Sequence, residues 1–425
     1  MKRNHIILLG ALLGLILPFS ITAAQEDGAT DFASAIKSGK ASISGRYRFE
    51  HVSDDDVVDL EADPEAEPTD DATASTLRLR LNYRTGQWNG WSAFGEFDHV
   101  FHVLLDDFNS GAGTSPNRTE YSTVADPEGS DLNQLYLDYS ANDDWKFRFG
   151  RQRILLDNQR FVGGVGWRQN EQTYDAFTLN TSAISKTALS YSYVGEVRRI
   201  FGQTVSAGKA HINGHLLNAK VNVSDRFSVT PYYYFLDYEG GGSNSTATAG
   251  IRLAASLAAG DGKIALLGEF ARQSDAADAT VSYDADYTHL TAAWTAENGL
   301  SLGLGYESLG TDSSNGQAFR TPLATLHAFN GWADQFLGTP AGGLDDLYFT
   351  VKAKAGKWSF TGVYHDFSSE TGSDDYGKEF DVSAGISLGN GYGLLLKGAF
   401  FSHDSDSPLE KYDTNKFWVM LTATY

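Results

Sequence analysis

The 425-residue sequence contains no cysteine, only nine prolines and only two methionines. Without cysteine there is no disulfide framework and no thiolate-ligated metal, so an exported chain of this size must be held by its core or by closed backbone hydrogen bonding. After the first two dozen residues no apolar run approaches the ~18 residues a spanning helix needs, which leaves a soluble secreted chain or membrane crossing by another architecture. Positive charge is scarce as well. The 33 Lys and Arg face 54 Asp and Glu, a formal charge of −21, and nucleic acid is a poor partner for such a chain. No Pro/Ser-rich linker or sharp composition shift divides the sequence, which favours one large unit over several domains.

What is present begins with Met1-Lys2-Arg3, an apolar run from Ile6 to Leu17, and Thr22-Ala23-Ala24 ahead of Gln25. That order reads as a secretory signal peptide over residues 1–24. A stretch such as Thr76–Arg84 then sets Leu77, Leu79, Leu81 and Tyr83 on one face of a strand and Arg78, Arg80 and Arg84 on the other. One face suits hydrocarbon and the other suits water or anions. Eighteen segments alternate in this way, with cores at 41–52, 74–85, 90–101, 131–140, 144–153, 172–181, 186–196, 211–222, 227–237, 247–258, 263–273, 282–296, 299–308, 346–355, 357–367, 378–388, 391–402 and 416–425. Most have the ~9–12 residues of a tilted transmembrane strand.

Connections alternate between short (near Thr85, Ala141, Ala258, Glu297, Ala355 and Gly389) and long (53–73, 102–130, 154–171, 197–210, 309–344 and 403–415). Short turns on one side and long loops on the other are the phase of an outer-membrane barrel. The expected fold is therefore all-β: a transmembrane antiparallel β-barrel of about 18 strands over 41–425, with 16 or 20 as alternatives. Both termini are expected in the periplasm, with 25–40 a short periplasmic segment. The expected surroundings are outer-membrane lipid and lipopolysaccharide.

Three stretches, Ala35–Glu50, Phe149–Ala176 and His327–Tyr348, resemble the alginate export family of outer-membrane barrels. The resemblance implies a monomeric 18-stranded barrel in the outer membrane of a Gram-negative bacterium, passing an anionic polysaccharide or oligosaccharide such as alginate along a cationic lumen. Uptake or general diffusion of anions is the alternative, and the resemblance calls for no cofactor.

By alternation, Arg46, Arg48, Arg78, Arg80, Arg84, Lys146, Arg148, Lys352, Lys354 and Lys397 point inward. They read either as a ladder of cations for carboxylates or as wall partners of the inward acids Glu96, Asp98, Asp138, Glu379 and Asp381. Arg151, Arg153 and Arg168, around a glycine-rich segment, either form a constriction or anchor a loop. In the long connection 309–344, Phe329, Trp332 and Phe336 recur at helix-like spacing beside His327 and Asp334, as a gate or as loop packing. The acidic segment 53–73 reads as a solvated loop. Asp54, Asp55, Asp56 and Asp59 are a weaker Ca²⁺ cluster, without EF-hand spacing. The ten His are scattered among different segments, so no nucleophile, base and orienting group converge as an outer-membrane hydrolase requires. A structural or adhesive barrel would need its wide lumen filled.

Overall fold

The computed structural model describes residues 29–55, 69–409 and 411–425. The signal-peptide reading and two members of the calcium reading, Asp56 and Asp59, lie outside the described residues. A short helix α1 (Phe32–Lys37) precedes eighteen barrel strands: β1 (Lys40–Asp54), β2 (Ala72–Arg84), β3 (Trp91–Asp107), β4 (Gly129–Ser140), β5 (Trp145–Gln152), β6 (Thr173–Thr181), β7 (Thr187–Arg198), β8 (Lys209–Ser224), β9 (Phe227–Tyr238), β10 (Thr246–Ala259), β11 (Gly262–Asp275), β12 (Asp284–Ala296), β13 (Ser301–Leu309), β14 (Leu344–Ala355), β15 (Trp358–Ser368), β16 (Asp375–Gly389), β17 (Tyr392–His403) and β18 (Thr414–Thr424). Each strand pairs antiparallel with its neighbours in sequence. β18 then pairs with β1, from Thr424 opposite Ser44 to Thr414 opposite Asp54, and this closes the sheet. Closure satisfies the edge hydrogen bonds that an open sheet would expose to lipid.

All eighteen alternating segments coincide with strands. The largest difference is β3, which continues past Phe101 to Asp107 because Asp106 and Asp107 still find partners in Ala74 and Thr73.

Facing follows the period of two. On β2, Leu81 is 55% exposed whereas Arg80 is 8% exposed, and the same split places Leu135, Leu137, Leu302, Leu304, Phe417 and Leu421 on the outer surface. Outward aromatics gather at the short-turn end, where Trp91 stacks on Tyr139 at 4.6 Å and Phe147 follows at 6.2 Å. Such a row suits the level where acyl chains meet headgroups. At the other end the connections 153–172 and 310–343 fold into the lumen, and the core of the molecule is their packing against the wall, with Tyr174, Tyr287, Phe319, Leu323 and Trp418 fully buried.

Candidate functional site

Connection 153–172 enters the barrel directly after β5. Gly150, at φ +117°, has its Cα against the β4 backbone, where a Cβ would overlap the Leu135 carbonyl oxygen. The loop then joins the second infolded connection. Gly163 N–H donates to the Leu323 carbonyl at 2.8 Å, and Thr325 N–H donates to the Gln159 carbonyl at 3.0 Å. Phe161 sits among Tyr232, Tyr234, Tyr287 and Phe319, with ring centroids 5.1–6.1 Å away.

The expected cation ladder is divided by these loops. Arg46 donates to the Gln169 side chain at 3.0 Å, to the Gly166 carbonyl at 2.9 Å and to the Arg168 carbonyl. Arg48 pairs with Asp126 at 2.9 Å and donates to the Trp167 carbonyl. Arg78 donates to the Gln169 carbonyl at 3.2 Å. Arg80 grips both Asp98 oxygens at 2.7 and 2.6 Å and reaches Glu171 at 2.9 Å. Arg153 joins Glu96 at 2.6 Å and also meets Glu171. These side chains hold loop to wall. Burial alone would raise the Glu171 carboxyl, yet Arg80 and Arg153 hold it down at about 2.

Arg168 pairs with Glu50 at 3.2 Å and with Asp334 at 3.0 Å, so it fastens the second loop rather than lining a constriction. Arg151 is corrected more sharply. Its cross-strand partner Leu135 faces outward, and Arg151 pairs with Asp175 at 2.8 Å on that outer face. Alternation already reverses the side between Arg148 and Arg151.

The second loop carries the residues expected to gate or pack. Their helix-like spacing yields one 3₁₀ turn, Leu326–Ala328, because Asn330 and Asp334 take positive φ and break the helical path. His327 is buried, its Nδ1–H donates to Asp334 at 2.7 Å, its Nε2 accepts from the Lys397 amine at 2.6 Å, and its ring stacks on Trp167 at 4.6 Å. Burial pushes the His327 imidazole down to about 3, against the pull of Asp334. Trp332 N–H donates to Asp381 and Ala333 N–H donates to Glu379 at 2.7 Å. Phe336 fills a pocket of Phe367, Tyr376 and Phe401, and Phe329 lies under the Arg160 guanidinium at 4.9 Å. Lys397, expected to face cargo, is enclosed instead by Trp167, Trp332 and Trp418.

Towards the short-turn end the lumen is different. Arg84, Lys146 and Arg148 line a cavity of about 470 Å³ with Asp138, Arg153, Ser92, Ser140, Thr178, Asn180 and Ser190. Arg84 and Arg148 share Asp138, at 3.0 and 2.7 Å, and lie over the Tyr136 ring at 5.6 and 3.9 Å. Two guanidiniums on one carboxylate leave net positive charge at this wall. Lys146 and Lys220 also border a neighbouring cavity of about 440 Å³ beneath Leu155, Leu156 and Asp157. Lys352 and Lys354 are exposed on β14, on the inward face that Tyr348 marks by bonding His289. Sequence reading missed Lys220, near the short-turn end of β8, and the loop residues Asp126, Gln169, Glu171 and Asn330, which have no periodicity to mark them.

Of the two described members of the weaker calcium reading, Asp54 accepts from Thr414 at 2.6 Å and Asp55 N–H donates to the Asp413 carbonyl at 2.9 Å. Among the described residues no three or more His, Asp or Glu are grouped to hold a metal ion.

A family model described as alginate export matches residues 41–312, more than half of the chain. The chain belongs to the alginate export family. Its barrel is similar to Acinetobacter baumannii OccAB4 (TM-score 0.71, 11% identity, covering 91% of this chain and 98% of that one) and OccAB1 (0.71, 11%, 94% and 99%). Pseudomonas aeruginosa OccK5 (OpdH) superposes at TM-score 0.67 with 12% identity, over 92% of this chain and 98% of that one. At these identities the likeness is one of fold. No curated protein matches the sequence. The protein is thus an outer-membrane β-barrel channel of a Gram-negative bacterium, set in lipid and lipopolysaccharide.

Proposed function

We propose that the barrel, acting as a single unit, is an anion-preferring diffusion channel for small solutes, with the short-turn end in the periplasm and the long loops outside. One observation carries this reading: lumen charge is segregated along the axis. Towards the long-loop end the arginines are consumed by loop carbonyls and by loop and wall acids, whereas towards the short-turn end the six cations Arg84, Lys146, Arg148, Lys220, Lys352 and Lys354 outnumber the four acids Asp138, Asp143, Asp144 and Asp157. A carboxylate ~4 Å from one such cation gains about 1 kcal/mol in bulk-like water and about 4 kcal/mol at an effective dielectric of ~20. Gains of that size enrich anions without trapping them.

Passage of a polysaccharide such as alginate, which the family membership favours, would require both infolded loops to withdraw. That means parting Arg168 from Glu50 and Arg160 from Glu307, two buried pairs that fasten loop to wall. The loops therefore favour small cargo over a polymer. Solute entry into liposomes holding the purified barrel distinguishes the two, with galacturonate, galactose and a uronic-acid decamer as probes. The expected order is galacturonate ahead of galactose, with the decamer excluded. Entry of the decamer at a rate near that of the monomer would restore the polysaccharide reading.

A further inference from the structure

We propose that α1 is a membrane-interface anchor whose Phe32 and Ile36 insert into the phospholipid leaflet at the short-turn end of the barrel. The position of the helix carries the argument. Tyr83 lies on the lipid-facing side of β2, in line with Leu79 and Leu81, and its hydroxyl donates to the Ile36 carbonyl. Two backbone bonds fix the same segment to the first short turn: Gly86 N–H donates to the Ala35 carbonyl at 2.8 Å, and Ala29 N–H donates to the Gln87 carbonyl at 3.0 Å. Gly39 lets the chain pass directly against the Tyr83 ring, which a Cβ there would overlap. The helix is therefore held to the outer rim and does not lie beneath the lumen.

Its exposed face is apolar. Ala35 is buried against the barrel, whereas Phe32 is 63% and Ile36 44% exposed, one helical turn apart and on the same side. Phe32 meets Trp88 edge-on at 6.0 Å, and Trp88 pairs through its backbone with Trp91, whose ring stacks on Tyr139. The apolar face of α1 is thus continuous with the outward aromatic row and the leucine belt above it. A surface that continues the lipid-facing belt fits the same partner, with Phe32 and Ile36 at the acyl boundary and Lys37 at the headgroups.

The absence of cysteine makes the test direct. Phe32→Cys, Ile36→Cys and Lys37→Cys are each labelled with an environment-sensitive fluorophore in the full barrel. Folding is verified by heat-modifiable gel mobility, and the proteins are placed in phosphatidylcholine vesicles with and without acyl-chain bromine. The proposal expects quenching at 32 and 36 at least three-fold greater than at 37, unchanged when the protein is diluted ten-fold in lipid. Equal weak quenching at all three positions would show that α1 stands in water. Shielding at 32 and 36 that disappears on dilution would assign the face to a second copy, and either result overturns the proposal.

Discussion

The Arg168 guanidinium donates to Asp334 at 3.0 Å and to Glu50 at 3.2 Å, so one side chain of the first infolded loop holds both the second loop and the barrel wall. Asp334 is further held by His327 and Lys416, the latter at 3.5 Å. Loop, loop and wall consequently form one buried electrostatic joint.

Removing its centre should release the second loop. Arg168→Met leaves Glu50 buried without this cation, and the expected loss of docking free energy is about 3–5 kcal/mol. Limited proteolysis of folded barrels in vesicles reads the outcome. Cleavage within 310–343 should accelerate markedly in the variant, and protection equal to the wild type would show that the joint does not hold the loop.

Facing can be tested on adjacent residues. Leu79→Arg places a cation against lipid and should cost about 2–4 kcal/mol, with reduced insertion. Arg80→Leu should also destabilise, for a different reason, because Asp98 and Glu171 lose their shared partner. Adding Asp98→Leu to Arg80→Leu should recover part of the loss, and adding it to Leu79→Arg should not. Urea titration of vesicle-bound barrels measures all four variants, and equal response of both backgrounds to Asp98→Leu would contradict the assigned register.

Acidification should undock the loops. The docked state keeps His327 neutral with its pKa lowered to about 3, so the undocked state takes up the proton first. This contribution is complete above about 6.5 and fades as pH falls towards 3, by at most ~1.4 kcal/mol per pH unit. Glu171, held at about 2, acts in the same direction, with its contribution complete above about 4.5 and lost as pH falls towards 2. Hydrogen exchange of 310–343 at pH 7.5, 6 and 4.5 should show falling protection, and His327→Gln should flatten that dependence. A wild-type loop equally protected at all three pH values would contradict it.

The eighteen strands were legible because lipid on one side and a polar interior on the other impose a period of two on each crossing. Side-chain partnership left no such trace. Arg46 meets Gln169, 123 positions away, and nothing in the alternation around Arg46 distinguishes it from Arg84, which keeps a more open place in the lumen. Arg151 was misread because it was grouped with Arg153 and Arg168 as a motif rather than placed by parity. The spacing of Phe329, Trp332 and Phe336 suggests a helix, but positive φ at Asn330 and Asp334 breaks the helical path, so Phe329 packs on the first loop while Trp332 and Phe336 reach the wall. Lys220 escaped notice because a single inward lysine resembles any polar strand residue.

The central claim is that anion preference arises at the short-turn end and not from the arginines under the loops. Reversal potential across planar bilayers in asymmetric potassium chloride tests it most directly, comparing the wild type with Lys146→Glu/Lys220→Glu/Lys352→Glu. The wild type should prefer chloride, and the folded triple variant should shift towards potassium. The shift should shrink at molar salt, where the screening length falls to about 3 Å. An unchanged reversal potential in a folded triple variant would contradict the account.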